Sequence, residues 1–149
     1  MQYFAYSQKA FVYKYVVMMS DTDQFEHMSF ANYLRLMFLA SDALFVTCFD
    51  EAFLSRERVK LKTSRMQFKK QTVAGENILI KVNSSEVMNS SFSLLFTFVI
   101  EGSGELVGLG KQTYGAYSRQ DDREKNLSDG MKSLLGPIRV EEEGLLYKY

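Results

Sequence analysis

The sequence predicts an α+β domain in which a curved antiparallel sheet wraps one long apolar helix. Three observations lead there. Residues 30–49 form a run with helical spacing that is apolar nearly all round, and a helix of that kind is enclosed by other structure instead of lying on a surface. Four strand-like segments then follow with no second helix between them, the order of a sequential antiparallel sheet. Gly102-Ser103-Gly104-Glu105 separates the last two of these segments, and such a turn makes them a hairpin.

Taken in order, residues 10–19 (AFVYKYVVMM) are aromatic and β-branched with only Lys14 charged, which predicts a largely buried strand. A polar, acidic loop follows and contains the single histidine, His27. Ser29 is placed to cap the helix by accepting a backbone N–H of its first turn. Phe30, Leu34, Met37, Ser41, Leu44, Phe45 and Cys48 recur at three- and four-residue steps. Leu36, Phe38, Leu39, Ala43 and Val46 fall outside that stripe, so no face of the helix is polar.

Residues 50–58 are charged and read as a connection. Residues 59–71 alternate only partly, with neither face clean. Ala74-Gly75 marks a turn, and residues 77–88 read as a strand with a polar centre, ended by Asn89-Ser90. Residues 91–101 and 106–117 are the hairpin strands, the second with Gly108, Gly110 and Gly115, where bulges or close backbone approach are expected. Beyond Ser118 the chain turns polar, with a short helix over 127–135 stopped by Gly136-Pro137 and then an acidic tail.

A length of 149 residues with 46% hydrophobic content predicts one domain, its core at about 10–118 and a linker, short helix and tail over 119–149. Lys plus Arg and Asp plus Glu both number 18, so no charge asymmetry points to nucleic acid or an anionic membrane. The lone Cys48 excludes an intrachain disulfide framework and, set on the apolar helix, reads as a buried thiol in the reducing cytoplasm. The N-terminus has no signal-peptide pattern. Arg35 and Asp42 break the longest apolar run below the length of a membrane span.

The spacing D-x-D-x-x-x-H-M-S-F-x-N-Y, carried by Asp21, Asp23, His27, Met28, Ser29, Phe30, Asn32 and Tyr33, resembles the signature of hot-dog-fold acyl thioesterases. It is similar to both the 4-hydroxybenzoyl-CoA thioesterase-like group and the acyl-carrier-protein thioesterases. Weaker echoes are Ala74-Gly75-Glu76 and the glycine-rich stretch of the last strand, so the likeness spans about residues 10–118. Phe25 and Ser29-Phe30 stand where those enzymes carry asparagines, and residue-by-residue transfer extends to Asp23 and His27.

The resemblance implies a hot-dog fold, hydrolysis of an acyl-CoA or acyl-carrier-protein thioester, and a homodimer or homotetramer whose partner completes each site. Ser64, Gln67 and Thr72 are then candidates for the partner residue. It implies no cofactor. Thioester hydrolysis needs an activated water or a carboxylate aimed at the carbonyl carbon, and donors aimed at the developing oxyanion. Asp23 is the expected general base or nucleophile, and His27 would orient it or polarise the carbonyl. The free backbone N–H groups of a helix N-terminus, here Met28, Ser29, Phe30 and Ala31, would hold the thioester oxygen.

Asp21 and Glu26 lie close enough that like charges would raise a carboxylate pKa, and Asp21 is given at most a supporting role. Asn32 and Tyr33 read as scaffold. Met18, Met19, Met28 and Met37 read equally as an adaptable acyl pocket or as core. One histidine and one cysteine 21 residues apart do not make a zinc set, and no G-x-S-x-G is present for a serine nucleophile. A non-catalytic acyl-binding module is the competing reading, drawn from Phe25 and Phe30; a dehydratase is a third, disfavoured by the D-x-D spacing.

Overall fold

The computed structural model describes residues 4–7, 10–48 and 58–140. Strands β1 (Phe4–Ser7), β2 (Ala10–Val16), β3 (Val59–Phe68), β4 (Asn77–Ser85), β5 (Ser91–Ile100) and β6 (Leu106–Ala116) form one antiparallel sheet in the order β1-β2-β4-β5-β6-β3. Helix α1 (Phe30–Cys48) is 19 residues long and packs against the sheet, and a second helix, α2, spans Asp129–Leu135. This is the expected hot-dog arrangement, with β1 as an addition that the sequence reading did not contain.

Strand periodicity decides what faces α1. Ile78, Ile80 and Val82 of β4 and Phe92, Leu94, Phe96 and Phe98 of β5 are fully buried and share one cluster with Leu36, Met37, Ala40 and Leu44 of α1, as alternation along a strand requires. The helix closes most tightly on β6 at Gly110, where an added Cβ would collide with the Met37 sulfur. Glycine suits that position because the Met37 side chain fills the space a Cβ would take.

The polar centre of β4 has a specific use. Ser84 Oγ donates to Leu135 O at 2.6 Å, and Asn83 Nδ2 donates to Ile138 O at 3.1 Å. These buried side chains satisfy carbonyls at the end of α2 and of the 3₁₀ turn Gly136–Ile138, groups with no partner inside their own helix. The C-terminal segment, expected to be a linker and a short helix, is thereby fastened to the sheet.

Two expectations change. The enclosed face of α1 holds Tyr33, Leu36, Met37, Ala40, Ser41 and Leu44, whereas Phe30 (69% exposed), Leu34 (48%) and Phe38 (62%) are open; the helix is apolar all round but covered on one side. Strand β2 stops at Val16, and Met19–Asp21 turns as a 3₁₀ helix. No helix among the described residues is long and apolar enough to cross a membrane. The expected connection at 50–57, Phe49 at the helix end, the Cys48 side chain and the tail 141–149 lie outside the described residues.

Candidate active site

The loop between β2 and α1 is closed on itself by backbone bonds. Thr22 and Met28 form an isolated antiparallel bridge; inside it Asp23 N–H donates to His27 O at 2.8 Å and Glu26 N–H to Asp23 O at 3.0 Å. The turn forces Glu26 to a φ of 64°, the left-handed region that costs a non-glycine residue about 1–2 kcal/mol. Glu26→Gly is therefore expected to raise stability by about 0.5–1 kcal/mol, measured as a denaturant midpoint increase at unchanged slope. An unchanged midpoint would show that the strain is relieved elsewhere.

Asp23 is exposed, and its Oδ1 accepts the N–H of Phe25 at 2.8 Å and, more weakly, that of His27 at 3.4 Å. One carboxylate oxygen thus shapes an Asx-type turn, while Oδ2 makes no hydrogen bond within the described residues. His27 is partly exposed, and its imidazole likewise makes none. Asp23 and His27 border the same cleft of about 690 Å³. Its aromatic wall comes from Phe25, Phe30, Tyr33 and Phe68, with Phe30 and Tyr33 packed on Phe68 at ring-centroid distances of 4.7 and 5.2 Å.

The segment after β3 holds the floor. Thr72 is fully buried; its carbonyl accepts the Met28 N–H at 2.9 Å and its hydroxyl lies 3.2 Å from the Tyr33 hydroxyl. Burial, the dominant cause, pushes the Tyr33 phenol above its ordinary pKa, so it stays protonated through the neutral range.

The four expected oxyanion donors divide into two pairs. Met28 N–H is used by Thr72 O and Ser29 N–H by Asp21 O at 3.0 Å, which removes both from that role in this conformation. Phe30 and Ala31, the first two residues of α1, have N–H groups with no partner among the described residues. Ser29 caps differently from expectation: its carbonyl accepts the Asn32 N–H, and its hydroxyl accepts from the Asn32 side-chain amide at 3.2 Å.

Asp21 is 6% exposed and is bonded to Tyr15 and to the Met18 N–H instead of facing the cleft. Thr72, enclosed behind Tyr33, is not a surface residue that could reach a partner, while Ser64 and Gln67 are exposed. Met28 borders the cleft and Met37 is core, but Met18 and Met19 are open. Lys69, Lys70 and Gln71, which the sequence reading did not single out, also border the cleft; their approach depends on Lys69 and Lys70 N–H donating to Val107 O, a contact with no local signal. No group of three or more His, Cys, Asp or Glu among the described residues could hold a metal ion.

Residues 17–135 match the family model of the thioesterase-like superfamily. The chain belongs to that superfamily. No curated protein matches it. Among solved structures, it is similar to a 1,4-dihydroxy-2-naphthoyl-CoA thioesterase from Synechocystis, with 14% identity, a TM-score of 0.77, and coverage of 85% of this chain and 96% of that one. A gentisyl-coenzyme A thioesterase superposes with a TM-score of 0.72 and 19% identity over 83% of this chain and 98% of the other. A Staphylococcus aureus protein solved in complex with CoA gives 0.78 at 12% identity, over 90% of this chain and 86% of that one. At these identities the likeness establishes the hot-dog fold of this superfamily member.

Proposed function

We propose that this superfamily member hydrolyses an acyl thioester of coenzyme A, with Asp23 as the general base and the Phe30 and Ala31 N–H groups as oxyanion donors. The observation that carries the reading is a shared cleft: Asp23, whose carboxylate keeps one uncommitted oxygen, and Phe30, whose N–H opens α1 with no partner among the described residues, both border it. Water loses a proton to Asp23 Oδ2 and attacks the carbonyl carbon, and the oxyanion forms against the first turn of α1. Collapse breaks the C–S bond. The thiolate leaves readily because it is weakly basic, and the proton held by Asp23 returns to bulk water or to the thiolate. His27, at the same cleft, orients the water. The aromatic wall favours an apolar or ring-bearing acyl group. Coenzyme A is preferred as carrier because proteins of similar fold are described with coenzyme A or its thioesters, and a carrier-protein thioester is the alternative carrier. The expected compartment is the cytoplasm, consistent with a single cysteine.

The test is thiol release from a panel of acyl-CoA and acyl-carrier-protein thioesters by the purified protein. Turnover of at least one CoA thioester is expected; release from none would remove the hydrolase reading. A non-catalytic acyl-binding module is favoured by one feature, that Phe25 and Phe30 place hydrocarbon on the cleft. Native mass spectrometry showing a retained, unhydrolysed acyl thioester would select it.

The reading includes a homodimer. The outer edge of β3 is unpaired among the described residues, and the strand is exposed along most of its ten residues; an edge of that length invites pairing. Phe30, which packs on Phe68 of that strand, and Leu34 and Phe38 of α1 are also open. Light scattering is expected to give twice the chain mass, and Phe38→Glu to give a monomer with lowered activity. A monomeric wild type, or a Phe38→Glu protein that remains dimeric, would contradict this interface.

A further inference from the structure

We infer that Asp21 is a positioning residue whose buried carboxylate, held by Tyr15 and the Met18 N–H with Arg35 beside it, sets the place of the Asp23 loop on the first turn of α1. Asp21 Oδ2 accepts the Tyr15 hydroxyl at 2.6 Å and the Met18 N–H at 2.8 Å, and Arg35 stands 3.8 Å from Oδ1. Its main-chain carbonyl, in turn, accepts the Ser29 N–H at 3.0 Å and the Asn32 side-chain amide at 2.7 Å. One residue therefore joins strand β2, the 3₁₀ turn, the entrance of α1 and its second turn. The Thr22 to Met28 bridge begins at the next residue, so a shift of Asp21 passes directly to Asp23, two positions on.

A carboxylate taken out of water is costly unless its partners are close; here the close partners are the Tyr15 hydroxyl and the Met18 N–H, while Arg35 is too distant for a hydrogen bond and half exposed, at 52% for its side chain. What the arrangement provides is a single geometry. Tyr15 is shared between the two charges, since its hydroxyl donates to Asp21 while Arg35 Nη1 approaches it at 3.4 Å and the guanidinium lies 6.0 Å from its ring. Burial first, and the Asp21 carboxylate second, push the Tyr15 phenol above its ordinary pKa, which keeps it a donor at neutral pH.

The inference rests on the hydrolase reading for its kinetic test and is independent of it for its structural one. Tyr15→Phe keeps the ring over Arg35 and removes only the hydroxyl; Asp21→Asn keeps the shape and removes the charge. For both variants kcat on the acyl-CoA panel is expected to fall by about 10- to 100-fold with KM within about twofold, the pattern of a misplaced catalytic group in an intact pocket. Amide hydrogen exchange of Ser29 and Phe25 is expected to quicken by about tenfold or more while β5 amides keep their wild-type rates. If Asp21→Asn loses protection throughout the chain, Tyr15→Phe decides alone. Wild-type kcat in Tyr15→Phe, or loop amides as protected as in wild type, would overturn the inference. Should the wild type hydrolyse nothing, the exchange measurement still decides whether Asp21 fixes the loop, and only the hydrolase reading falls.

Discussion

Asp23→Asn is expected to lower kcat on the best acyl-CoA by about 10²–10⁴-fold, the usual contribution of a positioned general base, with KM changed by less than about threefold. Asparagine matches aspartate in shape, and its carbonyl oxygen can still accept the Phe25 N–H that shapes the turn, so the loop keeps its fold. What is lost is the uncommitted carboxylate oxygen. The control is an unchanged denaturation midpoint, which separates lost chemistry from lost structure. A variant with more than a tenth of wild-type kcat would assign the base to another group, with His27 the next candidate on the same cleft.

The second large effect is on stability. Phe98 is fully buried, and its ring packs edge-on against Tyr33 at 5.5 Å, beneath the cleft. Phe98→Ala is expected to destabilise the fold by about 3–5 kcal/mol and, for a chain of this size, to lower Tm by about 10 °C or more. Because Tyr33 then loses support on one side, kcat at a temperature where the variant is folded should also fall. Phe96→Ala, equally buried on the same strand but with no ring contact to Tyr33 among the described residues, is the comparison: similar loss of Tm with a smaller loss of kcat. Equal kinetic losses in the two would show that Tyr33 does not transmit the effect.

How much of this was readable in the residues follows from the range of the interactions involved. The helix, the hairpin turn at 102–105 and the loop carrying Asp23 and His27 have local signals, and all appear in the fold. The early end of β2 does not, because it depends on the Asp21 side chain accepting the Met18 N–H, which competes with strand continuation. Nor does β1, since four residues paired to β2 carry too short a pattern to register. The open side of α1 was hidden for another reason: an all-round apolar helix looks the same whether its last face meets its own chain or a second one.

The same limit applied to the site. Met28 and Ser29 were reasonable oxyanion donors by position, yet their N–H groups are spent on Thr72 and Asp21, and the first of these partners comes from beyond β3. Thr72, considered for contact with a partner subunit, faces the interior for that reason. The network on Asp21 was legible only as an acidic residue two positions before Asp23. Its importance lies in Tyr15 and Arg35, on different elements.

The most direct test of the account is a crystal structure of Asp23→Asn with an intact acyl-CoA thioester bound. The thioester carbonyl oxygen is predicted to lie about 3 Å from the N–H of Phe30 or Ala31, with the carbonyl carbon facing residue 23 and the acyl group against Phe30, Tyr33 and Phe68. A thioester bound elsewhere, or one whose carbonyl points away from the first turn of α1, would contradict it.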